Sequence, residues 1–115
     1  MPRTLLFIAA LIGVTSCSPA TLDPEPLDVR VEASRPTATI GDTVSFVVNA
    51  QGGLLVGVEI QYGDSNADQF GTNGARTARV TFRHAYQTAG TYSVRAVVTD
   101  AAAGQKEATT EVRIN

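Results

Sequence analysis

A chain of 115 residues, 43% hydrophobic and 17% charged, has room for one domain and its approaches but not for two. Its formal net charge of −2 gives no electrostatic case for nucleic acid or anionic lipid headgroups as partners. One cysteine excludes an internal disulfide, and one histidine without a neighbouring cysteine supplies too few ligands for a metal centre.

Met1 to Thr4 carries one positive charge, Arg3, and the next ten residues, "LLFIAALIGV", are apolar apart from a glycine. A charged start, a short apolar run and small residues after it describe an export signal; a buried core helix is the alternative. Ten apolar residues are too few for a spanning helix, which needs about 20. The run ends at the only thiol, in "VTSC", Val14 to Cys17. This resembles the lipobox of bacterial lipoproteins, although Val14 stands where leucine is commoner. The resemblance implies a signal peptide over residues 1–16, a diacylglyceryl group on the Cys17 sulfur and acylation (palmitate or similar) of the new amine. An ordinary secretory signal with a stray cysteine is the alternative. Two or more acyl chains anchor a protein stably where one holds it marginally. The expectation is an exported protein of the bacterial cell envelope, held through Cys17 on the outer membrane or the periplasmic face of a membrane.

Removing Arg3 leaves eight basic against eleven acidic side chains, net about −3. "SPATLDPEP", Ser18 to Pro26, holds three prolines in nine residues. With Cys17 it reads as a stiff linker over 17–26, reaching up to about 28 Å.

From Leu27 to Asn115 the apolar residues recur with period two, the mark of half-buried strands. "LDVRVEA" places Leu27, Val29, Val31 and Ala33 on one face. "TVSFVVNA" turns Val44, Phe46, Val48 and Ala50 inward, and "LLVGVEIQY" does the same for Leu54, Val56, Val58, Ile60 and Tyr62. "SNADQFGTNGAR", Ser65 to Arg76, is expected as a polar loop or short edge strand whose Phe70 caps the core. "TARVTF" then buries Ala78, Val80 and Phe82; "TYSVRAVVT" buries Tyr92, Val94, Ala96 and Val98; "EATTEVRI" buries Ala108, Thr110, Val112 and Ile114. Arg79 and Arg83 share an exposed strand face, for which solvation is the default. Glycines at 41, 52, 53, 63, 71, 74, 90 and 104 fall between strands or at their edges. Six or seven short strands at this spacing predict an all-β antiparallel sandwich. Phe46, Ile60, Phe82 and Val94 are the candidates for the centre of its core.

Two motifs add to this. "VEIQYGDSN" is similar to the central motif of PKD domains: Ile60, Tyr62, Gly63 and Asp64 match, with Ile60 where tryptophan is usual and Ser65 where a glycine is usual. "HAYQTAGTYSVRAVVTD" resembles the second motif of that family at His84, Tyr86, Gly90, Thr91, Tyr92, Val94, Val98 and Asp100. The resemblance covers 27–115 and implies an immunoglobulin-like sandwich of about seven strands on secreted or cell-surface proteins. The residues themselves agree: Tyr92 sits two after Gly90 and two before Val94, as a tyrosine corner requires.

The stretch "GDSN" offers two chemical readings. Ser65 resembles the nucleophile of Gly-Asp-Ser esterases, but those carry Asp-x-x-His, and Thr81 stands three residues before His84. Asp64, Asn66 and Asp68 alternate as calcium ligands do, yet Gln69 and Ala75 replace the glycine and glutamate of a twelve-residue loop. A structural turn, with Asp64 bonding backbone amides, is the better expectation. His84, between Phe82 and Tyr86, is expected to be packed or hydrogen-bonded. The sequence therefore predicts a non-catalytic module without a cofactor, anchored by Cys17, that binds an envelope protein or glycan or serves as a spacer. Strand addition at a free edge is one plausible mode. The alternative is a calcium-dependent adhesion module using the loop from Asp64 to Asp68.

Overall fold

Alternating side chains cover one face of a pleated strand, and two such faces must meet to exclude water. In the computed structural model, which describes residues 26–115, that demand is met by six strands. These are β1 (Asp28–Ala33), β2 (Thr37–Ala38), β3 (Thr43–Gln61), β4 (Ala67–Ala85), β5 (Gly90–Asp100) and β6 (Gly104–Ile114). The expected signal peptide 1–16, Cys17 and the expected linker up to residue 25 lie outside the described residues.

Strands β3 and β4 form one long antiparallel hairpin that bends at its middle and contributes to both layers. The first half of β3 pairs with β1 and with the second half of β4, from Thr77 to Ala85. Its second half pairs with Ala67–Gly71 of β4 and with β5, which continues to β6 and then β2. All pairs are antiparallel except β2 with β6, which is parallel over two residues. The expected immunoglobulin-like sandwich is present. It is built from six strands because two of them each serve twice.

At the bend the structure departs from strict alternation. Leu54 and Val56 were expected inward, but they are 49% and 52% exposed, and Leu55 between them is fully buried. Register shifts on β3 flank Leu55. A bulge adds a residue to one strand and bends it, so the inward set moves to Leu55 and then Val58. Across the hairpin, Thr72 to Gly74 makes a matching excursion, with Asn73 and Gly74 at φ 53° and 82°. Pairing resumes at Gly57 with Gly71. The segment from Ser65 to Arg76 is thus mostly strand, and Phe70 does not cap the core: it stays 53% exposed.

The core is otherwise the one the period-two pattern names. Phe46, Ile60 and Val94 are fully buried and Phe82 nearly so, with Val44, Val48, Val58, Val98 and Val112 packed around them.

Candidate functional site

The two motifs meet at one end of the sandwich. Tyr62, Gly63 and Asp64 close β3, His84 and Tyr86 end β4, and Tyr92 opens β5. His84 lies opposite the inward-facing Val44 in the β3–β4 register, which turns its ring toward the core. The imidazole stacks on the Tyr62 ring at 4.0 Å and 5°, and meets the Tyr86 ring edge-on at 4.8 Å. Tyr86 stacks in turn on Tyr92 at 4.2 Å, and Phe46 packs on Tyr62 at 5.7 Å. Five rings from four strand ends form a column, each contact contributing beyond its buried area.

Polar groups along the column are consumed by one another. His84 Nε2 donates to Asp64 Oδ2 at 2.6 Å, with both side chains largely buried. The amide of Asn66 donates to Asp64 Oδ1 at 3.1 Å, the turn bond expected for this aspartate. Burial alone would push the Asp64 carboxyl up; the bonds from His84 and Asn66 outweigh it and hold the carboxyl below its ordinary value. Tyr86 Oη donates to the Tyr62 carbonyl at 2.9 Å, and Tyr62 Oη to Asp68 Oδ2 at 2.7 Å. Burial raises both phenols well above their usual range, and the Asp68 bond adds to this for Tyr62. Tyr92 Oη donates to the Thr88 carbonyl at 2.7 Å, which completes the expected tyrosine corner.

Gly63 makes the turn possible. Its φ is 89°, and a Cβ there would stand 2.7 Å from the Ser93 carbonyl oxygen of β5.

Asp100 matched a motif position, but its role was not read from the sequence. Its side chain is only 2% exposed and accepts four backbone amides. Oδ2 takes Gly53 and Leu54 at 2.9 and 2.8 Å; Oδ1 takes Ala102 and Ala103 at 2.8 and 3.0 Å. The Leu54 bond leads in holding the carboxyl down to about 2, with those from Ala103, Ala102 and Gly53 adding to it against burial. One carboxylate therefore satisfies the amides that the β3 bulge withdraws from the ladder and also closes the β5–β6 turn.

This geometry bears on the chemical candidates. His84 Nε2 is engaged by Asp64, and no hydrogen bond is seen between His84 and Ser65 among the described residues. Asp64 and Asp68 each have a carboxylate oxygen engaged by a protein donor, and among the described residues no group of three metal-ligating side chains occurs. What the sequence could not reveal was the pairing across 20 residues that gives Asp64 its partner.

A family model for the PKD domain matches residues 28–114. The chain belongs to the PKD domain family. Among solved structures, the PKD domain of an M14-like peptidase from a Thermoplasmatales archaeon is 25% identical, with a TM-score of 0.68 over 80% of this chain and 96% of that one. The PKD domain of the human receptor SorCS2 is 20% identical, with a TM-score of 0.56 over 88% of this chain and 84% of that one. A CARDB domain from Pyrococcus furiosus, solved in complex with di-metal ions, is 16% identical, with a TM-score of 0.62 over 83% and 97%. These last two show likeness of fold alone. No match to a curated protein was found. In this PKD domain, Ile60 takes the usual tryptophan position as a fully buried core residue, and Ser65 takes the usual glycine position at φ 78°.

Proposed function

We propose that this PKD domain is a non-catalytic binding or spacing module of a bacterial cell envelope, held to a membrane by lipid on Cys17 through the Pro-rich linker. The observation that carries the non-catalytic part is the motif cluster itself. Asp64, His84, Tyr62 and Tyr86, the groups that elsewhere would do acid–base chemistry, are bonded to each other and to backbone. They brace the sandwich.

Two features support a binding role. Among the described residues β4 pairs only with β3, which leaves its outer edge free there for an added strand. Most exposed strand residues are polar, with Leu54, Val56 and Phe70 as exposed apolar exceptions, and loops and faces, not the interior, are where such a domain meets a partner. The support for anchoring is the sequence "VTSC" at the end of an apolar run. A receptor domain and a peptidase domain with this fold illustrate that it serves as an accessory on larger proteins.

The test is Cys17→Ser. The full chain is expected to incorporate a fatty-acid analogue and to sediment with membranes. The variant is expected to lose the label and to stay unprocessed. Label retained in the variant, or wild-type protein free of lipid in the medium, would contradict the anchor.

A further inference from the structure

The two ends of the sandwich differ in chemistry. At one end the bend of β3, the excursion of β4 and the β5–β6 turn come together. The Ala101 amide donates to the Leu54 carbonyl at 2.9 Å, and a Cβ on Gly74 would stand 3.0 Å from Leu54 Cδ1. Leu55 pairs with both Ala75 and Asp100. The three segments read "GGLLVG" (52–57), "FGTNGA" (70–75) and "AAAG" (101–104), and none of them holds a charged residue. Among the described residues four large apolar side chains are exposed, and Leu54, Val56 and Phe70 of these segments are three of them. Ala101, Ala102 and Ala103 are exposed beside Leu54.

The far end is polar. Its turns, at 34–42, 62–66 and 86–90, are joined where the Gly41 amide donates to the Tyr86 carbonyl and Tyr86 Oη to the Tyr62 carbonyl. It carries Arg35, Asp42 and Asp64, and Ile40 is the large apolar residue exposed there.

The chain enters the domain at the apolar end. Leu27 Cδ1 lies 3.1 Å from where a Cβ on Gly52 would stand, next to Leu55 and Asp100. The expected anchor, Cys17, precedes Leu27 by ten residues, and the linker between them reaches up to about 28 Å. Lipid on Cys17 would therefore hold this end, and not the far one, nearest the membrane.

We infer that this end is a lipid-contact surface: Leu54, Val56 and Phe70 dip into the bilayer interface beside the anchor and stand the domain upright on the membrane. Half-exposed aliphatic and aromatic side chains gain by leaving water, and uncharged turns lose no charge hydration in doing so. The turn amides of Gly53, Leu54, Ala101, Ala102 and Ala103 already have acceptors in Asp100 and Leu54, so lipid contact strands none of them. Asp100 itself is buried behind the turns. Charges begin just beyond these segments: Asp28 and Lys106 lie 3.8 Å apart, and Arg76 follows Ala75. Arg76 and Lys106 have long apolar stems that can lie along such a surface with their heads at the phosphates. With the anchor in place the contact is intramolecular, so a few side chains suffice. The inference rests on the anchored-module reading and gives that module its orientation.

The test places a nitroxide label on Ala102→Cys, at the apolar end, or on Gln87→Cys, at the far end, of the full chain in phosphatidylcholine vesicles. Collisions of each label with oxygen, which concentrates in lipid, are compared with collisions with a water-soluble nickel chelate. Oxygen is expected to dominate at Ala102 and the chelate at Gln87. Combining Leu54→Ser, Val56→Ser and Phe70→Ser should return the Ala102 label to water, with an unchanged melting temperature because all three side chains are half exposed. An Ala102 label as wet as that on Gln87, or lipid contact that survives the triple variant, overturns the inference. Dipolar broadening between wet Ala102 labels also overturns it, and assigns the end to a second copy of the chain. Fatty-acid incorporation at Cys17 is measured on the same material. Its absence overturns the anchor and this inference together; its presence with a wet Ala102 label overturns this inference alone.

Discussion

Asp100 Oδ2 accepts the Leu54 amide at 2.8 Å across 46 residues of sequence, at the point where β3 leaves one layer for the other. The carboxylate is held down to about 2, below the value of about 3.9 for an unfolded chain. A depressed carboxyl contributes stability that is present above the unfolded value and is lost as pH falls through the folded one. Acid unfolding followed by circular dichroism should therefore steepen between about pH 4 and pH 2. Asp100→Asn should lower the melting temperature at neutral pH and flatten that acid limb. An unchanged limb would show that the four amide bonds do not discriminate charge.

The tolerance of two glycines should differ for a geometric reason. Gly41 and Gly63 share a left-handed backbone, at φ 87° and 89°, but only Gly63 faces backbone atoms at contact. Gly41→Ala should cost about 1 kcal/mol, the conformational term alone. Gly63→Ala adds a clash with the Ser93 carbonyl that no side-chain rotation relieves, so a loss of about 3 kcal/mol or more is expected in urea titration.

The buried phenols predict alkaline behaviour. Tyr62 and Tyr86 titrate above the ordinary phenol range, so the stability they contribute is intact below about pH 10 and is lost as pH rises beyond it. Absorbance titration should show two of the three tyrosines ionising only together with unfolding. Tyr86→Phe removes the donor to the Tyr62 carbonyl inside the core and should cost about 1–2 kcal/mol.

His84 and Asp64 should prove energetically coupled. A double-mutant cycle with His84→Gln and Asp64→Asn is expected to give an interaction energy of about 1–3 kcal/mol. Additive losses would mean that the 2.6 Å contact contributes packing only.

Much of this was legible because a half-buried strand imprints its period on the sequence. Val29, Phe46, Ile60, Val94 and Val112 are where alternation puts them. Alternation fails where the pleat is broken: the β3 bulge hands the inward position from Leu54 to Leu55, and nothing in "GGLLVG" marks which leucine turns in. An aromatic residue in a polar stretch looks like a core cap, whereas Phe70 lies on a strand that, among the described residues, has no neighbour beyond it. The site was half visible. The motifs located Tyr62, Asp64, His84, Tyr92 and Asp100, but hydrogen bonds spanning 20 and 46 residues belong to the fold and not to any local pattern. The gathering of Leu54, Gly74 and Ala101 at one end is likewise a property of the fold.

The central claim is that Asp64 is a lock within the sandwich and not a ligand for a cation. Thermal melting of the full chain and of Asp64→Asn, each with and without millimolar calcium, tests it most directly. The account predicts a marked loss of melting temperature in the variant without any calcium, and no calcium shift in either protein. A rise in the parent with calcium, abolished in the variant, would signal a cation bound to the folded state and would contradict it.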